Sequence, residues 1–220
     1  MRAIMFGWAI VASLCVLSRH SHAIDHTLPA VQDADVATGG GWDDNLLGLS
    51  NWISENYSGA TSVIAHIEFD VSSFAPGTVT NATLRLFHEY NGNDGVSFDI
   101  YRVTSPWNEA SVTYDTRPSL DATLYSTLAI ADDDVAVWRE WDVTSLVQEW
   151  VNGGSTNNGL AILRNPDDSH WPYFRSKDFS GGEGFPELVV TVIPEPTSPA
   201  VLGMAAVCLM SRRRMRRLSG

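Results

Sequence analysis

The feature that most constrains the fold is a series of short runs in which apolar and polar residues alternate, separated by Gly, Asn, Asp or Pro. Within one run, Leu84 and Leu86 share a face while Arg85 and Phe87 share the opposite one, as expected for a strand with one buried side. Runs of this length, rich in β-branched and aromatic residues, predict β-strands. We expect clear strands at 63–71, 82–90, 97–103, 137–142, 159–164 and 187–193, and shorter ones near 34–37 and 124–130.

One segment has helical spacing instead. Its apolar residues recur every three or four positions, after Asp142, a candidate N-cap, and before the breaker Gly153-Gly154. We therefore predict one short helix at 143–152 in an all-β protein, an antiparallel jelly-roll-like β-sandwich. The apolar positions of the helix are Val143, Leu146, Val147, Trp150 and Val151.

The N-terminal residues have the pattern of a secretory signal. Arg2 precedes the apolar run 4–17, and Ser21-His22-Ala23 places small residues at the first and third positions of a cleavage site. This pattern predicts a cleaved signal peptide at 1–23.

The C-terminal residues form a second targeting pattern, in which Pro194-Glu195-Pro196 precedes the apolar run 199–210 and a block of arginines. Its 12 apolar residues rise only about 18 Å as a helix, against a hydrocarbon core of about 30 Å. We therefore expect a transient stop in the membrane, with the cationic block cytoplasmic and everything upstream outside. The block contains Arg212, Arg213, Arg214, Arg216 and Arg217.

This ending resembles the PEP-CTERM sorting signal of Gram-negative bacteria that make extracellular polymer, although its apolar run is short. The resemblance implies that a membrane exosortase processes a tail at 194–220. Secretion to the extracellular matrix or to the surface of the cell envelope is the expected outcome, with only transient membrane insertion.

The segment between the two ends is strongly acidic. Residues 24–197 contain seven Lys and Arg against 26 Asp and Glu, a net charge of −19. Such a charge repels nucleic acid and anionic lipid. Both cysteines, Cys15 and Cys208, fall in the end segments, so the exported part has no disulfide. Its length predicts a single domain at 24–193.

Several short fragments occur in a fixed order along the acidic segment. They are Ile67-Glu68-Phe69-Asp70-Val71-Ser72, Ala82-Thr83-Leu84-Arg85-Leu86, Arg102-Val103-Thr104, Trp107-Asn108-Glu109, Val112-Thr113-Tyr114, Trp141-Asp142-Val143-Thr144, Gly159-Leu160-Ala161-Ile162, Phe174-Arg175-Ser176-Lys177-Asp178 and Pro186-Glu187-Leu188. Their order resembles the DNRLRE domain, which is also classed with carbohydrate-binding modules of the family 96 type. The resemblance implies a noncatalytic β-sandwich of secreted bacterial and archaeal proteins, some of which bind acidic polysaccharide such as alginate. Departures from the family pattern are Tyr114, where Trp is common, and the insertion Asp132-Asp133-Asp134.

Aromatic residues are the first candidates for glycan binding, because sugar rings stack their C–H faces on flat π surfaces. Four of them lie in loop-like sequence rich in Gly, Asn and Asp, where a large ring has little structural role. The alternative is that these rings fold back over the edge of the sandwich. By periodicity, Trp107, Trp141 and Trp150 instead face the core. The four candidates are Trp42, Trp52, Trp171 and Tyr173.

Positive residues flank two of these aromatics. Arg175 and Lys177, with Arg164, could form a basic patch that holds a carboxylated sugar. The alternative is ordinary ion pairing with Asp167, Asp168 or Asp178. Because the domain is so acidic, the sequence favours a neutral glycan.

No cofactor is required, but calcium is a possible structural partner for an acidic, disulfide-free sandwich. Asp33 and Asp35 alternate on one face and are the candidate ligands, whereas the triplet at 132–134 is better explained as a solvated turn. No segment has the spacing of a twelve-residue calcium loop. The histidines are too scattered for a zinc site; they include His26, His66, His88 and His170.

Three classes of function remain. We favour a secreted, noncatalytic carbohydrate-binding or extracellular-matrix module. A purely structural cell-surface or biofilm protein without glycan affinity is the alternative, and a polysaccharide-degrading enzyme is the third class. The sequence has no Gly-x-Ser-x-Gly elbow and no phosphate loop, and Glu68 and Asp70 are interpreted as strand surface and strand end.

Overall fold

The computed structural model describes residues 22–55, 57–90, 96–130, 134–165 and 172–193. Ala23–Pro194 forms one compact unit. The predicted sorting tail, almost all of the predicted signal peptide and Trp171 lie outside the described residues. In the part of the chain that the structure describes, no helix combines the length and the apolar character that crossing a membrane requires.

Ten strands and one helix build the described body, and every strand pairing is antiparallel. The predicted all-β sandwich with a single short helix is therefore confirmed. The elements are β1 (Ile24–Thr38), β2 (Trp52–Ile53), β3 (Ser62–Phe69), β4 (Val79–Tyr90), β5 (Val96–Val103), β6 (Leu120–Ile130), β7 (Val137–Asp142), α1 (Thr144–Val151), β8 (Leu160–Asn165), β9 (Tyr173–Arg175) and β10 (Glu187–Val192).

Strand β1 belongs to both sheets. Its first part pairs with β10, in the sheet ordered β2-β9-β4-β10-β1, to which β7 is added beside β4. Its second part pairs with β3, in the sheet ordered β1-β3-β8-β5-β6. The register shifts between Ala30 and Gln32, so a β-bulge marks the point at which the strand passes from one sheet to the other.

The short strands β2 and β9 were not predicted, and β4 begins three residues before the predicted strand at 82–90. Strands β1 and β6 are also longer than the sequence predicts. The prediction near 34–37 captured only the buried end of β1, and the prediction near 124–130 omitted the first four residues of β6. In both cases the missed residues, apart from Asp33, are exposed or only partly buried, so they lack the buried apolar face that marks a strand in the sequence. Pairing with β10 and β5 keeps them extended, and such long-range pairing is not encoded in a local pattern.

The helix is shorter than the prediction of 143–152, and its N-cap is Val143 rather than Asp142. Asp142 is the last residue of β7, where it pairs with Thr83, so its backbone is still part of the strand. Its Oδ1 nevertheless accepts the Thr144 N–H at 2.9 Å, as a capping side chain does. Leu146, Val147 and Trp150 are buried.

The core between the sheets is rich in aromatic rings. Phe98 and Trp141 both pack edge-on against Phe174, with ring centroids 5.1 and 5.7 Å away, and the Trp141 Nε1–H donates to the Phe98 carbonyl at 3.1 Å. Burial of Trp141 and Trp150 is as predicted. Trp107 is partly buried against a second apolar cluster.

Candidate functional site

Two of the predicted aromatics, Trp52 and Tyr173, come into contact. Their ring centroids are 5.0 Å apart and their planes make an angle of 49°. Strands β2 and β9 bring them together, because Trp52 pairs with Arg175. Side chains alternate along β9, so that Phe174 is fully buried in the core while Tyr173 and Arg175 lie on the outer face of the sheet.

Further rings extend this contact on both sides. Tyr90 stacks on Tyr173 with centroids 5.2 Å apart and planes at 18°, and Phe179 lies 5.0 Å from Trp52. Tyr90 is 46% exposed, whereas the other three rings are partly buried. We call Trp52, Tyr90, Tyr173 and Phe179 the aromatic strip. The sequence identified only two of its members.

A register shift explains why Tyr90 was missed. His88 and Tyr90 are two residues apart, so an unbroken strand would place both on the same side of the sheet. The pairing of β4 with β9 shifts register between them, so that His88 is fully buried while Tyr90 stacks on the outer ring of Tyr173. Nothing local in the sequence marks this bulge.

Arg175, a predicted site residue, supports the strip from one side. Its guanidinium lies 4.2 Å from the Phe87 ring centroid and 4.3 Å from that of Phe179, and its Nε donates to Glu89 Oε2 at 2.7 Å. The loop at 181–184, which contains three glycines, approaches Arg175 closely. Gly184 has φ of +74°, and a Cβ there would lie 2.9 Å from Arg175 Nη1. Arg175 is therefore a packed cation with a partner carboxylate.

The arginine on the neighbouring surface is paired with glutamates in the same way. Arg85 donates to Glu140 at 3.0 Å and to Glu187 at 2.8 Å, and its guanidinium lies 4.5 Å from the Trp138 ring centroid. Within the described part of this surface, both arginines are thus engaged by protein carboxylates, unlike those of a site built for a polyanion.

Lys177, predicted to accompany Arg175, faces a different environment. Its Nζ lies 3.0 Å from Glu109 Oε1 and 3.0 Å from Asp178 Oδ2. Burial alone would lower the pKa of Lys177, but its hydrogen bonds with Glu109 and Asp178 outweigh burial and raise the pKa. The ammonium is therefore held charged by its acidic neighbours. The third predicted cation, Arg164, is on β8 and is 7% exposed.

The partners of Lys177 belong to an acidic group that includes the predicted metal ligand Asp33. Carboxylate oxygens of Asp33, Glu109 and Asp178 lie within 4.8 Å of one another, and Asp33 Oδ2 accepts the Lys177 backbone N–H at 2.7 Å. Burial raises the pKa of Asp33 to about 7. Because the Lys177 ammonium already neutralises part of this group, a divalent cation here would have to displace it.

Asp35, the other predicted metal ligand, is not a member of that group. Its Oδ1 accepts the Ser54 N–H at 2.8 Å, while its Oδ2 accepts the Glu55 N–H at 3.0 Å and the Tyr57 hydroxyl at 3.1 Å. Burial raises the pKa of Asp35 to about 7, and these three hydrogen bonds oppose the rise. Asp35 therefore fixes the shape of the loop after β2.

Trp42, the fourth predicted aromatic, is part of a separate cluster. Its ring centroid lies 5.0 Å from that of Tyr57 at an angle of 49°, and its Nε1–H donates to the Ser58 carbonyl at 2.9 Å. It packs against buried Ala37 and Val63. This is the geometry of a loop aromatic folded back over the edge of the sandwich.

Comparison with known proteins places the chain in a family. The model of carbohydrate-binding module family 96 matches residues 25–192, which includes all four rings of the aromatic strip and every described strand except the first residue of β1. The chain belongs to this family. As a family 96 module, it is a carbohydrate-binding domain, and a sheet face that displays adjoining aromatic rings fits that role.

The family 96 module is also similar to parts of much larger proteins. It is 29% identical over 127 residues to the tRNA nuclease WapA of Bacillus subtilis (strain 168), covering 56% of this chain and 5% of that protein. It is 25% identical over 166 residues to the tRNA3(Ser)-specific nuclease WapA of Bacillus spizizenii, covering 73% of this chain and 7% of that protein. The chain thus spans only a small fraction of the curated relatives that it matches.

Proposed function

We propose that this family 96 module is a secreted, noncatalytic protein that binds neutral polysaccharide on the aromatic strip. The observation that carries the proposal is the continuous ring contact from Phe179 through Trp52 and Tyr173 to Tyr90, beside arginines that are already paired with glutamates. Membership of the family supports carbohydrate as the ligand class.

The physical basis of binding is the match between sugar rings and flat aromatic surface. A sugar ring has an apolar C–H face, and burying that face against Trp52 or Tyr90 removes apolar area from water. The planes of Tyr90 and Tyr173 differ by 18° and their centroids are 5.2 Å apart, so each ring covers part of one face of the other. Tyr90 stays 46% exposed and forms the open end of this shallow surface. A polysaccharide chain can lie along such a surface without entering a deep pocket.

Charge favours a neutral ligand over an acidic one. Lys177 binds Glu109 and Asp178, and Arg175 binds Glu89, so a sugar carboxylate would have to compete with protein carboxylates for either cation. The net charge of −19 on residues 24–197 adds repulsion at long range. Alginate-like polymers are therefore the disfavoured ligands.

Export and processing complete the proposal. The signal peptide at 1–23 and the PEP-CTERM-like tail at 194–220 would deliver the module to the extracellular matrix or envelope surface of a Gram-negative bacterium, with an exosortase acting on the tail. Both segments are inferred from the sequence alone. Intact-mass measurement of the secreted protein tests this part, since we expect a product that lacks both segments.

The nuclease names of the two relatives suggest a different activity. We infer that the shared part is the sandwich, because the match covers 5% to 7% of those proteins. A net charge of −19 opposes binding of RNA phosphates. We therefore propose no nuclease activity for this chain.

Binding titrations of the full-length protein test the main proposal. Wild type is measured against soluble glucan, mannan and alginate, beside Trp52→Ala and the matched variant Trp42→Ala. We expect binding of a neutral polymer, weakened about tenfold or more by Trp52→Ala, a loss of about 1.4 kcal/mol, and unchanged by Trp42→Ala. No binding of any of the three polymers by wild type would instead support the alternative of a purely structural surface protein, and equal binding by wild type and Trp52→Ala would show that the ligand does not bind on the aromatic strip.

A further inference from the structure

A concave surface lies apart from the shallow aromatic strip and shares no residue with it. It is a pocket of about 580 Å³, within the size range of small-ligand sites. The end of β3, the turn that follows it, the end of α1 and the segment before β8 meet here. The residues that matter for the argument are Val31, Glu68, Asp70, Phe74, Trp150 and Asn157.

The bulge in β1 shapes one side of the pocket. The register shift between Ala30 and Gln32 leaves Val31 as the extra residue, and Val31 is 51% exposed although it is apolar. The bulge lies where β1 passes from one sheet to the other. Bulges are frequent beside active sites, where they redirect a side chain.

Two carboxylates line the polar side. Glu68 and Asp70 are two residues apart, so an extended backbone places them on the same side. Glu68 Oε2 accepts the Gln32 amide at 2.6 Å, and Asp70 Oδ1 accepts the Ser72 N–H at 2.9 Å. Since a carboxylate can accept about four hydrogen bonds, both groups retain acceptor capacity for a ligand while their positions are fixed.

Rings and aliphatic side chains form the rest of the lining. Trp150 is 6% exposed, and the partly buried Phe74 contacts His26 edge-on, with ring centroids 5.3 Å apart. Asn157 is held by its own bond to the Phe69 carbonyl at 2.7 Å. An apolar wall beside paired hydrogen-bond acceptors matches a sugar ring, which has a C–H face and a polar rim.

Charge selects among sugars. Among the described residues that line the pocket, none is Lys or Arg while two are acids, so a sugar carboxylate or sulfate would be repelled and a cation attracted. A protonated amine can bond to either carboxylate with charge assistance. We propose that this pocket binds an amino sugar with a free, protonated amine, such as a glucosamine unit of a chitosan-type chain. The ligand class rests on the proposed function, whereas the site is independent of the aromatic strip.

Binding of a glucosamine tetramer by the full-length protein tests the inference. The variant Glu68→Gln/Asp70→Asn keeps an acceptor oxygen for Gln32 and for Ser72 but removes both charges. We expect it to bind the tetramer about tenfold or more weakly than wild type. The N-acetylglucosamine tetramer, which lacks the positive charges, is expected to bind wild type more weakly and to be less affected by the double variant.

A matched control separates the pocket from general attraction of a cation to an acidic protein. Asp44→Asn/Asp115→Asn removes the same charge from two exposed positions outside the pocket and should leave tetramer affinity within about twofold. Equal losses in the two double variants, or no binding by wild type, would overturn the inference. Trp52→Ala should retain tetramer binding, so a failure of the aromatic strip and a failure of the pocket give different results.

Discussion

The Trp42–Tyr57 and Trp52–Tyr173 pairs have the same geometry but different surroundings. In both pairs the ring centroids are 5.0 Å apart and the planes meet at 49°. In the first pair, the Trp42 indole N–H donates to the Ser58 carbonyl and the Tyr57 hydroxyl donates to buried Asp35. In the second pair, the rings lie on the outer face of a sheet, where Tyr90 and Phe179 extend them.

The difference teaches that ring contact alone does not indicate a binding surface. Tyr57 is 7% exposed and belongs to an apolar cluster with Ala37 and Val63, so its pair contributes to stability. The Trp52–Tyr173 pair covers a sheet face whose inner side is already packed through Phe174. This contrast leads to separate predictions for stability and for the proposed glycan affinity.

The largest expected effect is on the stability of the region around the Trp42–Tyr57 pair, where Asp35 accepts the Tyr57 hydroxyl. Asp35→Asn removes one of the two oxygens that accept the Ser54, Glu55 and Tyr57 donors, and places an amide N–H₂ against a donor. We expect the free energy of unfolding to fall by about 3 kcal/mol, since buried donors lose their partner. Denaturant unfolding measures the change. A loss of less than about 1 kcal/mol would show that the loop is not held by Asp35.

Alanine at each tryptophan compares the pairs directly. Trp42→Ala should lower the free energy of unfolding by about 2 kcal/mol, because it removes packing on the Ala37–Val63 cluster together with a hydrogen bond. Trp52→Ala should cost about half as much while losing neutral-glycan affinity. The two variants are compared by thermal unfolding and by titration. If Trp52→Ala were the more destabilising variant and Trp42→Ala the one with weaker binding, the assignment of the two pairs would be reversed.

The free energy of unfolding should depend on pH through Asp33, which lies beside Lys177 and outside the aromatic strip. Burial raises the folded-state pKa of Asp33 from 3.8 to about 7, so its contribution to stability is complete below about pH 4 and is lost as pH rises through 7. In Asp33→Asn the decrease in stability between pH 6 and pH 8 should be smaller by about 1.4 kcal/mol. Denaturant unfolding at both pH values measures it.

His66 also makes the free energy of unfolding depend on pH, but equally in wild type and in Asp33→Asn. Burial lowers the pKa of His66 to about 4, so its contribution to stability is present above about pH 6.5 and is lost as pH falls through 4. It acts in the opposite direction, but it is the same in wild type and in Asp33→Asn and cancels in the difference. Identical pH profiles for the two proteins would contradict the assigned shift of Asp33.

The smallest expected effect is that of salt on binding at the strip. Arg85 and Arg175 are paired with glutamates, and the proposed ligand is neutral, so ions have little to screen. The affinity for a neutral glucan or mannan should change less than about twofold between about 0.05 and 0.5 M NaCl. A steep decrease in affinity with added salt would indicate an ionic contact that the proposed surface does not provide.

Much of the fold follows from local pattern. Alternation in Leu84-Arg85-Leu86-Phe87 and helical spacing before Gly153 were sufficient to predict an all-β sandwich with one short helix, because period 2 and period 3.6 select different secondary structures. The helix began one residue later than expected, since Asp142 is engaged in β7. The boundaries of β1 and β6 depend on partners that the local pattern does not reveal.

The candidate site was predicted only in part. Trp52, Tyr173 and Arg175 do meet on one face, but Tyr90 and Phe179 were missed, while Lys177 and Trp42 lie in other environments. Trp42 and Trp52 occur ten residues apart in similar loop sequence. Composition gave no reason to separate them.

Residue chemistry and the spacing of apolar residues alone established the class of fold, the acidic charge and the number of aromatic rings. These properties belong to each residue or to its near neighbours. Long-range pairing decided which rings adjoin. Trp52 meets Tyr173 because β2 pairs with β9, Lys177 meets Asp33 across 144 positions, and two bulges turn Tyr90 and Val31 outward. The physical reason is that strand pairing joins segments distant in the chain, and a shift of one residue changes the face on which a side chain lies.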